Sequence, residues 1–146
     1  MIFIKFCALS IIFSAFLAIG DAGIFNFLKP GRKQKVSVQG QLLCGKEPAQ
    51  GILVKLVDKD TISDDKMGET KTDSNGKFFV EGTEKELGNI EPTIKVYHTC
   101  KKGLLRCDRK LSVTVPKDYI NSGRTMDMGA INLELKFPGE KHDCWH

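Results

Sequence analysis

Cysteine thiols are the groups in this chain with the widest chemistry, because they form disulfides, bind metals or act as nucleophiles. Cys7 lies in an apolar leader that we expect to be removed, which leaves Cys44, Cys100, Cys107 and Cys144. Four thiols in a small exported chain predict two disulfides. A zinc site is the alternative, but there is no Cys-x-x-Cys pair and the spacings of 56, 7 and 37 residues do not make a zinc ribbon. We expect no metal and no cofactor.

The histidines are the next candidates for chemistry. His98 is in phase with the apolar residues of a predicted strand, which favours a core histidine bonded to the backbone over a catalytic or pH-sensing group. His142, Cys144 and His146 could bind copper or zinc only if Cys144 were a free thiol. Trp145 is expected to cover a disulfide or to be a simple tail residue.

An acidic stretch formed by Asp58, Asp60, Asp64 and Asp65 raises the question of calcium. An EF-hand loop needs oxygen ligands at alternate positions, glycine at the sixth position and glutamate at the twelfth. That register fails here, so we expect a solvated loop between strands.

A basic segment is the most suggestive surface feature, and it is our candidate ligand loop. Its residues are Lys101, Lys102, Leu104, Leu105, Arg106, Arg109 and Lys110. Exposed leucines flanked by cations at a loop tip would suit an anionic membrane or an acidic glycan. The alternative is a solvated loop whose leucines fold back onto the sheet.

These groups must be positioned by strands, because apolar and polar residues alternate along most of the chain. Seven strands are predicted: Val36–Cys44, Ile52–Leu56, Glu69–Thr72, Lys77–Val80, Thr93–Thr99, Leu111–Val115 and Ile131–Phe137. Asn75-Gly76 predicts a type I′ hairpin turn, and one short helix is plausible within Thr83–Asn89. The pattern indicates an all-β fold, a two-sheet antiparallel β-sandwich with at most one short helix.

Strand phase also suggests how the cysteines pair. Cys100 and Cys107 are each in phase with the inward residues of their strands, at the two ends of a six-residue loop. Cys44 is in phase with Val36 and so also points inward. We therefore predict disulfides Cys100–Cys107 and Cys44–Cys144.

The N-terminal residues predict export. Met1–Gly20 has one early charge, an apolar run and small residues before a possible cleavage point, as a signal peptide does. The predicted organisation is a signal peptide at 1–20, a flexible arm at 21–35, the sandwich at 36–137 and a disulfide-tied tail at 138–146. The whole chain has a net charge of +4, too small an excess to indicate a nucleic-acid partner. We expect no transmembrane segment in the mature chain.

A series of different short motifs lies along most of the chain in a characteristic order. They are Gly40-x-Leu42-x-Cys44, Pro48-Ala49-x-Gly51, Thr72-Asp73-x-x-Gly76-x-Phe78, Tyr97-His98-x-Cys100, Cys107-x-Arg109, Pro116-x-x-Tyr119 and Asp143-Cys144. This order and spacing resembles the nematode transthyretin-like family over roughly Val36 to Cys144. The resemblance implies a transthyretin-type β-sandwich that is secreted to the extracellular region or the cell surface. It implies no established catalytic activity.

Enzymes of the same fold that hydrolyse 5-hydroxyisourate provide the catalytic alternative. They resemble one another in an early histidine, a mid-chain arginine and histidine, and a C-terminal Tyr-Arg-Gly-Ser, whereas this chain has no histidine before His98 and ends Lys-His-Asp-Cys-Trp-His. We therefore predict no enzyme but a secreted binding or adaptor protein, with an unknown extracellular protein, anionic lipid or glycan as partner. The alternatives are a carrier of small hydrophobic ligands and a secretory component without a specific ligand. A homodimer through the sheet edges is possible from the pattern alone.

Overall fold

The computed structural model describes residues 30–104 and 106–146. In these residues the strands are β1 (Arg32–Cys44), β2 (Glu47–Pro48), β3 (Leu53–Asp58), β4 (Asp65–Lys71), β5 (Lys77–Glu86), β6 (Pro92–His98), β7 (Asp108–Thr114), β8 (Thr125–Asn132) and β9 (Lys141–Asp143), with one 3₁₀ turn at Lys117–Tyr119. The predicted signal peptide, residues 21–29 of the predicted arm, and Leu105 lie outside the described residues. No helix among the described residues is long and apolar enough to cross a membrane.

The strands form two sheets, which confirms the all-β fold. In the first sheet β1 pairs with β5 and β2 antiparallel and with β8 parallel. The second sheet has the antiparallel order β4-β3-β6-β7-β9. Alternate side chains of the longer strands enter a single core, because successive residues of a strand point to opposite faces. The buried apolar residues include Val36, Val38, Leu42, Val54, Leu56, Ile94, Val96 and Leu133.

The predicted hairpin between the third and fourth strands is wrong. β4 and β5 lie in different sheets, so the turn between them moves the chain from one sheet to the other. A type I′ turn needs positive φ at both central residues, but of Asn75 and Gly76 only Gly76 has it, at +72°. The Asp73 carboxylate accepts hydrogen bonds from the backbone N–H groups of Asn75 at 2.8 Å and Lys77 at 2.9 Å, which fixes the turn instead.

Two predicted elements, a short helix and the last strand, also differ from the structure. No helix forms within Thr83–Asn89, because β1 begins at Arg32 and its first residues pair with the end of β5, as in Arg32 opposite Glu86. The last predicted strand, Ile131–Phe137, is replaced by β8, which ends at Asn132. Beyond Asn132 the chain turns, so the alternating leucines that suggested a strand lie in a loop.

The predicted cysteine pairing is wrong, although all four thiols are in disulfides. The bonds are Cys44–Cys100, with Cα atoms 5.8 Å apart, and Cys107–Cys144, with Cα atoms 4.3 Å apart. The first bond joins the end of β1 to the residues just after β6, and therefore links the two sheets.

The second bond follows from β9, a short strand that the sequence pattern did not indicate. β9 pairs with the start of β7, where Asp108 lies opposite Asp143. Cys107 and Cys144 immediately adjoin this pair and are thereby brought together. Phase predicted an inward direction for Cys44, Cys100 and Cys107, but it could not predict which thiol each of them meets.

Candidate functional site

The β6–β7 loop, residues 99–107, carries an apolar residue at a cationic tip. The Leu104 side chain is fully exposed, so the alternative in which the leucines fold back onto the sheet does not hold for this residue. The tip is formed by Lys101, in a left-handed conformation with φ of 52°, and by Gly103, with φ of 69°. The Arg106 side chain is exposed beside it.

The base of this loop is fixed by polar contacts of Lys102. Its Nζ lies 3.2 Å from Asp108 Oδ1 and donates to the Arg106 carbonyl oxygen at 3.3 Å. Lys101 Nζ lies 3.5 Å from Glu134, a weaker and more exposed contact. The exposed outer half of the loop therefore carries Leu104, Arg106 and Lys101, the last within ion-pair distance of Glu134.

Arg109 does not belong to this surface, although the sequence placed it in the candidate loop. Its guanidinium is buried, forms a two-pronged ion pair with Glu140, and donates to the carbonyl oxygens of Cys100, Leu133 and Leu135 at 2.7–2.8 Å. All five of its N–H donors are therefore used inside the protein. The pKa of the Glu140 carboxyl is lowered, chiefly by its hydrogen bonds from Arg109. Arg109 has a structural role.

Lys110, the last residue of the predicted loop, belongs to a basic patch on the outer face of the second sheet. Its Nζ lies 2.6 Å from Asp143 Oδ2. Lys95 forms an ion pair with Asp64 on the same face. A groove of about 300 Å³ runs between these pairs, and its wall includes Lys59, Lys95, Lys110, Lys141, Thr93, Ser112 and Thr114.

The chain terminus covers one end of this face. The His146 ring stacks on Tyr97 with ring centroids 4.5 Å apart, and Lys55 lies over the same tyrosine ring at 5.4 Å. Trp145 is 93% exposed and so does not cover a disulfide. Cys144 is disulfide-bonded, which removes the thiol that a copper or zinc site with His142 and His146 required.

His98 is buried, as the sequence predicted, but its surroundings differ from the expectation. It is 1% exposed, and neither ring nitrogen has a hydrogen-bond partner among the described residues, so the predicted backbone bond is absent there. Burial, followed by the charge of Arg109, lowers the pKa of His98 to about 4. A neutral, enclosed imidazole is poorly placed for general acid–base catalysis.

The loop of the acidic stretch is solvated, as predicted, because residues 59–64 between β3 and β4 are exposed, but Asp58 and Asp65 at its two ends lie in those strands. Asp58 is buried at the end of β3, whereas Asp64 lies on the outer face with Lys95. Oxygen atoms of Asp58, Asp60 and Glu86 lie within 4.8 Å of one another. Sequence reasoning missed Glu86, because it reaches this place only through the unpredicted end of β5.

Comparison with known proteins relates this chain to one family, both by a family model and by individual sequences. The sequence model of the transthyretin-like family matches residues 39–116. Transthyretin-like protein 2 of Caenorhabditis elegans is 41% identical over 137 residues, covering 86% of this chain and 91% of that protein. Transthyretin-like protein 5 of the same nematode is 43% identical over 122 residues, covering 80% and 88%. A 9R-lipoxygenase structure from Cyanothece has a TM-score of 0.46 and 17% identity, covering 72% of this chain and 18% of that one. More than three quarters of the chain is thus aligned with the nematode proteins at about 40% identity, and we conclude that this chain belongs to the transthyretin-like family.

Proposed function

We propose that this chain is a secreted, non-enzymatic binding protein that attaches to anionic surfaces through the outer half of the β6–β7 loop. The observation that carries the proposal is the complete exposure of Leu104 between the cations Lys101 and Arg106. A lone exposed leucine is ordinary on a protein surface. An exposed leucine at a cationic tip matches the headgroup region of an anionic membrane, where the apolar group is buried and the cations meet phosphate.

The outer face of the second sheet supports the same proposal. Lys95, Lys110 and Lys141 add positive charge along a shallow groove on this sheet. Two of these lysines are paired with carboxylates, so the field of the patch is weaker than its lysine content suggests. The loop tip is therefore the primary contact, and the sheet face contributes attraction over a longer distance.

The expected affinity of one loop is low. Burying the Leu104 side chain contributes about 1.5–3 kcal/mol, and each cation near an anionic surface contributes about 1 kcal/mol. With the two cations of the outer half of the loop, the dissociation constant is on the order of 10⁻³ M. Two copies joined through a sheet edge would present two loops and bind more tightly, so sedimentation equilibrium should accompany the binding test.

The test is sedimentation of the mature protein with vesicles at several millimolar lipid, comparing phosphatidylcholine alone with a phosphatidylcholine–phosphatidylserine mixture. Leu104→Ser and the double variant Lys101→Gln/Arg106→Gln are expected to reduce binding to the anionic vesicles severalfold. Lys102 is left intact, because its contact with Asp108 holds the loop base.

Matched controls lie on other surfaces of the molecule. Ile62 is 98% exposed in the β3–β4 loop, so Ile62→Ser removes an equally exposed apolar residue in an acidic setting. Lys33→Gln/Lys117→Gln removes two exposed charges at the opposite end of the sandwich, at the start of β1 and after the end of β7. Equal binding of wild type and the loop variants, or equal losses in the controls, would refute the proposed role of the loop.

A further inference from the structure

The acidic pocket is a small polar cavity at the end of the sandwich opposite the Cys44–Cys100 disulfide. Asp58 ends β3 in the second sheet, and Glu86 ends β5 in the first sheet. With Asp60 they surround a cavity of about 210 Å³, whose wall also includes Lys59, Thr61, Asn89 and Glu91. Carboxylate groups from both sheets are thus brought to one place, although Asp58 and Glu86 are 28 positions apart in the sequence.

Asp58 differs from an ordinary surface carboxylate in its environment. Its side chain is 1% exposed. Oδ1 accepts a hydrogen bond from the backbone N–H of Glu91 at 2.7 Å, but Oδ2 is buried without a hydrogen-bond partner among the described residues. The carboxylates of Asp60, Glu84 and Asp65 add negative charge around it. A buried carboxylate with several acidic neighbours is stable as an anion only when a positive charge compensates it.

The oxygen ligands of the pocket and the distances between them favour calcium over other metal ions. Calcium binds six to eight oxygen ligands at 2.3–2.6 Å, so two oxygens on the same calcium ion lie at most about 5 Å apart. The oxygens of Asp58, Asp60 and Glu86 lie within 4.8 Å of one another and satisfy this limit. Magnesium demands a smaller octahedron, and zinc and copper favour nitrogen or sulfur ligands, which these three residues do not offer. The Asn89 amide oxygen already accepts a hydrogen bond from Arg32, so further ligands would be backbone oxygens or water.

We propose that Asp58, Asp60 and Glu86 form a calcium-binding site that links the two sheets. The Cys44–Cys100 disulfide joins the sheets covalently at the other end. Bound calcium would join the end of β3 to the end of β5, so that the sandwich is closed at both ends. Three carboxylates with a partly exposed ligand suit the weak affinity of extracellular calcium modules, with dissociation constants of about 10⁻⁴–10⁻³ M.

The experiment is isothermal titration of the mature, disulfide-bonded protein with calcium chloride after treatment with EDTA, with thermal unfolding in calcium or magnesium at equal ionic strength. Calcium at ten times its dissociation constant is expected to raise Tm by about 4–7 °C, and magnesium by much less. Asp60→Asn removes an exposed ligand and should weaken calcium binding at least about tenfold. Asp118→Asn changes an exposed aspartate away from the pocket and should bind as wild type does.

Asp58→Asn provides a second, independent readout. The amide keeps an acceptor for the Glu91 N–H and removes the buried charge, so without calcium this variant should melt no lower than wild type, and calcium should no longer raise its Tm. The proposal is overturned if wild type shows no calcium-specific binding, if magnesium stabilises it equally, or if Asp60→Asn or Asp58→Asn retains the wild-type response.

Discussion

Replacing Arg109 should destabilise this protein more than removing any exposed cation. Arg109 lies at the start of β7, opposite His98 on β6, and its five donors hold Glu140 and three backbone carbonyls. Two of these carbonyls belong to Leu133 and Leu135, which follow β8. The residue thus fastens the C-terminal segment to the second sheet.

The magnitude follows from counting donors. Arg109→Lys keeps the charge but offers three N–H groups instead of five, so at least two of the five contacts are lost. Each buried acceptor left unsatisfied costs about 1–3 kcal/mol, so we expect a loss of about 2–6 kcal/mol. Arg109→Met also leaves the Glu140 carboxylate uncompensated, and removing one partner of a buried ion pair costs about 3–5 kcal/mol.

The assay is urea unfolding at pH 7, followed by far-ultraviolet circular dichroism because Trp145 is too exposed to report on the core. Lys136→Met removes an exposed cation from the segment that Arg109 anchors and should stay within about 0.5 kcal/mol of wild type. In the double variant Arg109→Met/Glu140→Gln, part of the loss should be recovered, since no buried carboxylate charge remains. If Arg109→Lys and Arg109→Met both unfold within 1 kcal/mol of wild type, the inferred anchoring role is wrong.

Three further predictions concern acid, the tail and a turn. The folded pKa of His98, about 4, lies below its ordinary value of 6.5, so protonation favours the unfolded chain and stability is lost as the pH falls from 6.5 towards 4. We expect a loss of about 2–3 kcal/mol between pH 7 and 4.5 in urea unfolding, and His98→Leu should abolish most of it. Cys107→Ser/Cys144→Ser removes a bond closing a separation of 37 residues and should cost about 4 kcal/mol on the loop-entropy estimate, and a variant as stable as wild type would contradict this. Gly76→Ala would place a Cβ 2.2 Å from the Leu42 carbonyl oxygen at a φ of +72°, so we expect a loss of at least about 1–3 kcal/mol in the same assay, against none for Gly88→Ala, where a Cβ meets open space.

The sequence correctly predicted those strands that can be recognised from the alternation of apolar and polar residues within the strand itself. Alternation in the runs that became β1, β3, β6 and β7 identified both the strands and the faces that enter the core. The same rule failed after Asn132, where the alternating leucines continue but the chain turns away from the sheet. There, the hydrogen bond from the Leu133 N–H to the Leu43 carbonyl oxygen holds a loop residue in the core, and periodicity alone cannot distinguish such a residue from one in a strand.

Periodicity does not show which residues that are distant in the sequence become neighbours in the fold. The phase of a strand determines whether a side chain points inward, but the partner depends on which strands adjoin, and several pairings satisfy the same inward set. The cysteine pairing was wrong for this reason, since β9 brought Cys144 to Cys107. The acidic pocket was missed for the same reason, because Asp58 and Glu86 meet only when β1 pairs with β5 along its full length. The two sites that the sequence did not predict therefore lie where strand ends from separate parts of the chain converge, and one of them holds a buried carboxylate oxygen without a hydrogen-bond partner among the described residues.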